Sequence, residues 1–257
     1  RCEAMKFLRV CLACLLHLPS AEEVPPTESQ LKKFLLIPCA DAPPTPAAQK
    51  PPGERQVPKT KTQLLAERSV FKLLLQATIA TSLDTELLED SKEFAESIAR
   101  HFAMLFTARA LQPSPAGLGG MSLQELNPLL CFDALLAVLE EGKLIQQKAA
   151  LHFLGVMLNT LVTFARARHM QAHGPAPAGQ ETKLDRNQVG LDLPPVTGEL
   201  VQRVLHCCYR GHWQALVGGL MGVSAIIKSE LPIEFLQQRE ASLARALLHI
   251  LRRLPDH

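Results

Sequence analysis

Eighteen residues, His206 to Val223, read HCCYRGHWQALVGGLMGV and gather two histidines, two adjacent cysteines, the only tyrosine, the only tryptophan and a Gly-Gly pair. Thiolates and imidazoles bind zinc or run redox exchange, so a metal or redox centre would be sought here first. A structural zinc site needs four ligands. Cys208 and His212 are four apart and would share a face on a continuous helix, but Gly211 reads as a helix stop between them. No second Cys/His pair has zinc-like spacing. The pattern therefore predicts no metal, and Cys207 and Cys208 read as small apolar groups in a core.

The other motifs that could do chemistry are weaker. Cys11 and Cys14 form a C-x-x-C, but CLAC sits in an apolar helical run without the strand-to-helix setting of a redox motif. GLGG, Gly117 to Gly120, lacks the GK[ST] ending of a phosphate loop. GVSAI, Gly222 to Ile226, lacks the second glycine of a nucleophile elbow. The acidic pairs Glu89-Asp90 and Glu140-Glu141 read as solvated helix edges. The basic stretch Lys50 to Lys61 reads as a charged linker. No catalytic residue, cofactor site or metal site is expected.

The elements that would position these residues are helical. Leu64, Leu65, Val70, Phe71, Leu74 and Leu75 recur at a helical period, as do Phe94, Ile98, Phe102, Leu105 and Phe106. Asn127-Pro128 reads as a cap and first turn. The helix it opens runs to Gly142, a residue suited to a C-cap. A long helix then carries Arg166, Arg168 and His169 near its negative end. GELVQRVLHCCYR stops at Gly211, and two further runs, from His212 and from Pro232, complete the set. No strand alternation is present. Gly218 and Gly222 form a G-x-x-x-G step. With Gly219 they put three glycines in one helix, each disfavoured by about 1 kcal/mol against alanine. That implies close backbone approach to a neighbour. Trp213, Leu216, Val217, Leu220, Ser224 and Ile227 are expected to supply the buried stripe beside them.

Proline divides the chain. Ten of the nineteen prolines lie between Pro19 and Pro58, and a second gap covers His173 to Gly198. Both are expected to be irregular surface insertions. The organisation is therefore a helix over 1–18, a proline-rich insertion over 19–60, helix pairs over 61–172, a loop insertion over 173–198 and further helix pairs over 199–257. The pairs repeat. Placing Gly142 over Gly211 sets Ala149-Ala150-Leu151 on Gly218-Gly219-Leu220 and Met157-Leu158 on Ile226-Ile227. That offset, less the second gap, falls within the roughly 40–47-residue period of HEAT-type repeats. The expected fold is all-α: a HEAT-type superhelix of stacked antiparallel helix pairs.

On these residues the chain resembles the TRRAP family, the transcription-coactivator scaffold related to phosphatidylinositol-3-kinase-like kinases. The resemblance rests on Cys207, Cys208, Tyr209, Trp213, Gly218 and Gly219, then Leu231-Pro232 and Ala246 to Ile250. Upstream, LNPLLCFDALLAVLEE resembles the segment one helix pair earlier. The clear match begins near Leu126, and the proline-rich gaps depart from it. The resemblance implies a non-catalytic, nuclear scaffold segment of a superhelix. Its partners would be transcriptional activators and subunits of SAGA-type histone acetyltransferase complexes. The family's inactive kinase-like domain lies elsewhere, and no H-R-D or D-F-G motif occurs here.

Composition fits that class. The net charge is +2, with 27 basic and 25 acidic residues, and aromatics are 5%, which leaves no electrostatic or stacking case for direct nucleic-acid binding. Seven irregularly spaced cysteines suit reduced, buried thiols. The chain opens on Arg1 rather than Met, as a piece of a longer protein would. No membrane span stands out: the uncharged run Trp213 to Ile227 is shorter than the roughly 20 residues needed. The competing reading is a secreted or membrane-associated helical protein of unknown activity, because Met5 to Ala21 has the basic, apolar and small-residue order of a secretory signal.

Overall fold

The computed structural model describes residues 2–15, 72–110, 130–173 and 191–253. The proline-rich 19–60 region, Asn127-Pro128, GLGG and residues 174–190 lie outside them.

The described residues form helices joined by short turns, with no strand among them. Helix α1 spans Cys2–Leu15, and α2 covers 72–80. A 3-10 turn over Thr85–Leu87 leads into α3, Leu88–Ala110. Then come α4, Leu130–Glu141, and α5, Leu144–His173. The pair α6, Pro195–Cys207, and α7, Trp213–Lys228, follows. A short α8, Ile233–Gln237, and α9, Glu240–Leu251, close the chain.

Two layers result. In one, α3, α5 and α7 lie side by side; in the other, α4, α6 and then α9. The pairs α4–α5 and α6–α7 join the layers. Phenylalanines fill the core: Phe102 of α3 meets Phe132 of α4 edge-on at 4.9 Å, and Phe94 of α3 meets Phe153 of α5 at 6.4 Å. Edge-to-face pairs suit the ring quadrupole. Helix α1 docks through Leu12, which is fully buried, and Arg9, whose guanidinium donates to the Leu87 carbonyl at 3.4 Å. Burial holds the Arg9 guanidinium below its usual pKa, with the charges of Asp90 and Asp84 offsetting it only in part.

The repeat register is real in space. Helices α5 and α7 begin at Leu144 and Trp213, the same 69-residue offset that aligns Gly142 with Gly211. Ala149 and Ala150 are buried like their counterparts Gly218 and Gly219.

Four sequence expectations change. Gly142 follows α4 directly, but α6 ends at Cys207, four residues before the expected stop at Gly211, and neither glycine has positive φ, so neither is a left-handed cap. Helix α6 starts at Pro195, inside the 173–198 gap, with proline at its first position. The run from Pro232 is two helices rather than one, broken at Gln238 and Arg239, where Arg239 folds back over the Phe235 ring at 3.7 Å. Finally, α5 is long and apolar enough to cross a membrane by length and composition, although no span stands out by eye. Its apolar residues pack against α3, α4 and α7 as the core of both layers.

Candidate interaction surface

The residues singled out as the structural signature all come from the α6–α7 pair, and the fold separates them. Cys207 and Cys208 end α6 fully buried. Burial pushes the Cys208 thiol up to about 11 and the Cys207 thiol up as well, with Glu140 adding to the latter. Burial that disfavours the thiolate lowers the reactivity of both thiols. His206 and His212 are exposed, and His212 precedes α7 in extended backbone, so it shares no helix face with Cys208. Among the described residues, no three His, Cys, Asp or Glu side chains converge as a metal site would require. Tyr209 is exposed and lies 5.0 Å from the His249 ring.

The glycines form a seam. A Cβ on Gly218 would collide with the Leu139 carbonyl of α4. One on Gly219 would come within 2.8 Å of the Cys208 backbone nitrogen, and one on Gly222 would strike Val204 of α6. Helix α7 thus lies backbone-close to α4 and α6 along one face, which is the purpose expected of its three glycines. Gln147, buried in the first turn of α5, completes the seam. Its Nε2 donates to the Leu139 carbonyl at 2.7 Å and to the Gln214 carbonyl at 2.9 Å, tying three helices at one point. Leu139 lies in the last turn of α4, where carbonyls lack helical donors.

Ion pairs repeat across the α4–α6 layer. Arg203 donates to Asp133 at 2.7 Å and to Glu199 at 2.6 Å, and Arg210 donates to Glu140 at 2.9 Å. The two acids are seven apart on α4, and the two arginines seven apart across α6 and its turn. Glu140 is therefore not the free solvated acid that the sequence suggests. Arg166 of α5 pairs with Glu230 beyond α7 at 3.1 Å.

The apolar stripe of α7 is where sequence and structure part. Trp213, Leu220 and Ile227 do not line the joint. They stand 56%, 42% and 45% exposed, with Val217 and Ser224 half-buried between them. The buried face is Ala215, Leu216, Gly218, Gly219, Gly222, Val223 and Ile226. Helix α7 is apolar on both faces, so the pattern shows two stripes and does not rank them. The glycine face wins because close approach to α4 and α6 buries it. A helix apolar all round belongs in an interior, yet α7 has α5 on one side of its layer and nothing described on the other.

A family model for the Tra1 HEAT repeat ring region matches residues 1–257. The chain belongs to this family. No curated protein and no solved structure matches it. In a HEAT array each helix pair buries its faces against neighbouring pairs, and this Tra1 ring segment shows both conditions. Helix α5 has neighbours on both sides, and its Leu158, the counterpart of Ile227, is fully buried. Among the described residues of its layer helix α7 has one, and Ile227 stands 45% exposed. Trp213, Leu220 and Ile227, each partly exposed, lie along that outer side of α7.

Proposed function

We propose that this chain is a non-catalytic segment of a transcription-coactivator scaffold. It works in the nucleus within histone acetyltransferase complexes of the SAGA type, and presents helical surface to activators or complex subunits. The outward face of α7 carries the reading. It is continuous, apolar and anchored by a tryptophan, the composition of an interface core. Its seat is the next position in the α3–α5–α7 layer. Helix α9 supports this, because it already extends the other layer against α6 and α7. The packing of α1 favours a structural helix over a cleaved leader: Leu12 lies in the core and Arg9 is clamped on the 81–87 turn.

The test is made in the protein as it occurs in cells. Tagged protein carrying Trp213→Asp and Ile227→Asp is purified beside wild type, and acetyltransferase subunits and associated activity are measured in the eluate. Loss of both with unchanged protein level is expected. Normal recovery of the complex would leave the scaffold role of this face unsupported.

A further inference from the structure

Arg9 carries a guanidinium from α1 into the interior, 4% exposed, against the turn that leads into α3. Its bonds there are poor. Nη1 donates to the Leu87 carbonyl at 3.4 Å and Nη2 to the Thr81 hydroxyl at 3.5 Å, both beyond the roughly 2.7–3.2 Å at which N–H donors usually bind. Its buried Nε has no partner. Asp84 and Asp90 attract the guanidinium but offset its burial only in part. Lys6, the other cation of α1, pairs with Glu3 of the same helix at 3.6 Å.

Neither acceptor depends on Arg9. The Leu87 carbonyl also accepts from Ser91 Oγ at 2.6 Å, and the Thr81 hydroxyl is bonded to the Ala77 carbonyl at 2.9 Å. An apolar side chain of similar length would therefore strand no polar group. It would also remove the unfavourable burial of an under-compensated cation. The rest of the α1 seat is small. Leu12 is fully buried and Leu8 and Ala13 partly so, while Phe7 and Val10 on the same helix are exposed. A helix of 14 residues is at the limit of what keeps its shape alone in water, so undocking and loss of helix go together.

We propose that α1 is a releasable arm: Arg9 keeps its docking on the 81–90 turn weak and dependent on charge, so that the arm opens while α3 to α7 stay folded. Such opening is a local event, separate from global unfolding. Asp84 is exposed and Asp90 half-buried, so dissolved salt screens their pull on Arg9 and favours release. The inference stands apart from the coactivator reading, which rests on α7.

Hydrogen exchange of the full 257-residue chain, followed by mass spectrometry at one pH in low salt (about 0.05 M) and high salt (about 0.5 M), reads the opening. The α1 amides should exchange faster than those of α5, and about two- to five-fold faster again in high salt. Arg9→Met should slow them below wild type and remove the salt response. Asp84→Asn combined with Asp90→Asn should speed them in low salt and remove the response as well. Should that double variant unfold, Arg9→Met decides alone. Amides of α1 as protected as those of α5 would mean that no arm opens. A rate in wild type that ignores salt would take charge out of the device. Arg9→Met exchanging as fast as wild type, or faster, would make Arg9 an ordinary anchor. Any one of these three results overturns the proposal.

Discussion

The carbonyl oxygen of Leu139 rests directly against the Cα of Gly218, leaving no space for a side chain. Gly218→Ala tests that contact. In an unconstrained helix interior, alanine would stabilise by about 1 kcal/mol. Here it forces α7 away from α4, an overpacking penalty of about 1–3 kcal/mol. A net loss of stability is expected, read as a lower urea midpoint. A raised midpoint would show that the seam is loose.

Gly155 is the control. It lies within α5, and a Cβ there meets nothing within 4 Å. Gly155→Ala should therefore realise the helix preference undisturbed, a gain of about 0.5–1 kcal/mol. The two substitutions are chemically identical and should have opposite signs. A thermal melt of both variants checks this, and a destabilised Gly155→Ala would contradict the packing described.

Gln147 should be irreplaceable by an apolar residue of like size. Gln147→Leu keeps most of the volume but leaves the Leu139 and Gln214 carbonyls without that donor. An unsatisfied buried polar group costs about 1–3 kcal/mol. Hydrogen exchange should show faster opening at the α4–α5 turn and at the start of α7. Unaltered protection there would mean that water replaces the amide.

How far these relationships were legible in the sequence differs from residue to residue. The helices, the 69-residue offset and the need for close approach at Gly218 and Gly219 all follow from period and residue size. The direction of α7 does not, because Trp213, Leu220 and Ile227 are as apolar as Leu216, Val223 and Ile226. Only the neighbours decide which set is covered. Gln147 left a trace in the repeat: it aligns with buried Leu216, so a polar side chain stands at a core register. The pairs Asp133–Arg203 and Glu140–Arg210 left another in their common spacing of seven. Arg239 left none, since its packing depends on a break between two helices and on Gly198, distant in sequence.

The buried thiols predict an alkaline weakness. Cys208 titrates at about 11 and Cys131 at about 12 in the folded chain, against 9.0 ordinarily. Unfolding frees both to ionise. The unfolded state therefore holds fewer protons than the native state above pH 9, and stability falls as pH rises. It is fully present below pH 9 and is lost progressively through pH 11 and 12. Urea midpoints measured from pH 8 to 10.5 should decline, and Cys208→Ala should make the decline shallower. An identical slope in that variant would show that its thiol is not responsible.

The last prediction separates the two faces of α7. Ile226 and Ile227 are adjacent, alike in chemistry and opposite in burial, at 0% and 45% exposed. Ile226→Asp places a carboxylate in the core without a partner. The charge must be desolvated or the core opened, and either outcome exceeds the 5–15 kcal/mol margin that holds an ordinary domain folded, or takes most of it. The variant should fail to give a cooperative melt. Ile227→Asp removes apolar area that is already half in water, and surface changes of this kind usually stay within about 0.5 kcal/mol. Its melt should match wild type. The isolated chain should also self-associate less, because Trp213, Leu220 and Ile227 form one contiguous apolar patch that the aspartate interrupts. Light scattering against concentration measures that difference. Equal unfolding by both substitutions would mean that Ile227 is covered within the chain. Equal scattering from wild type and Ile227→Asp would mean that the patch attracts nothing. The scaffold reading needs the opposite of both: a helix that stays folded when its outer face is charged, and loses only its attraction for a neighbour.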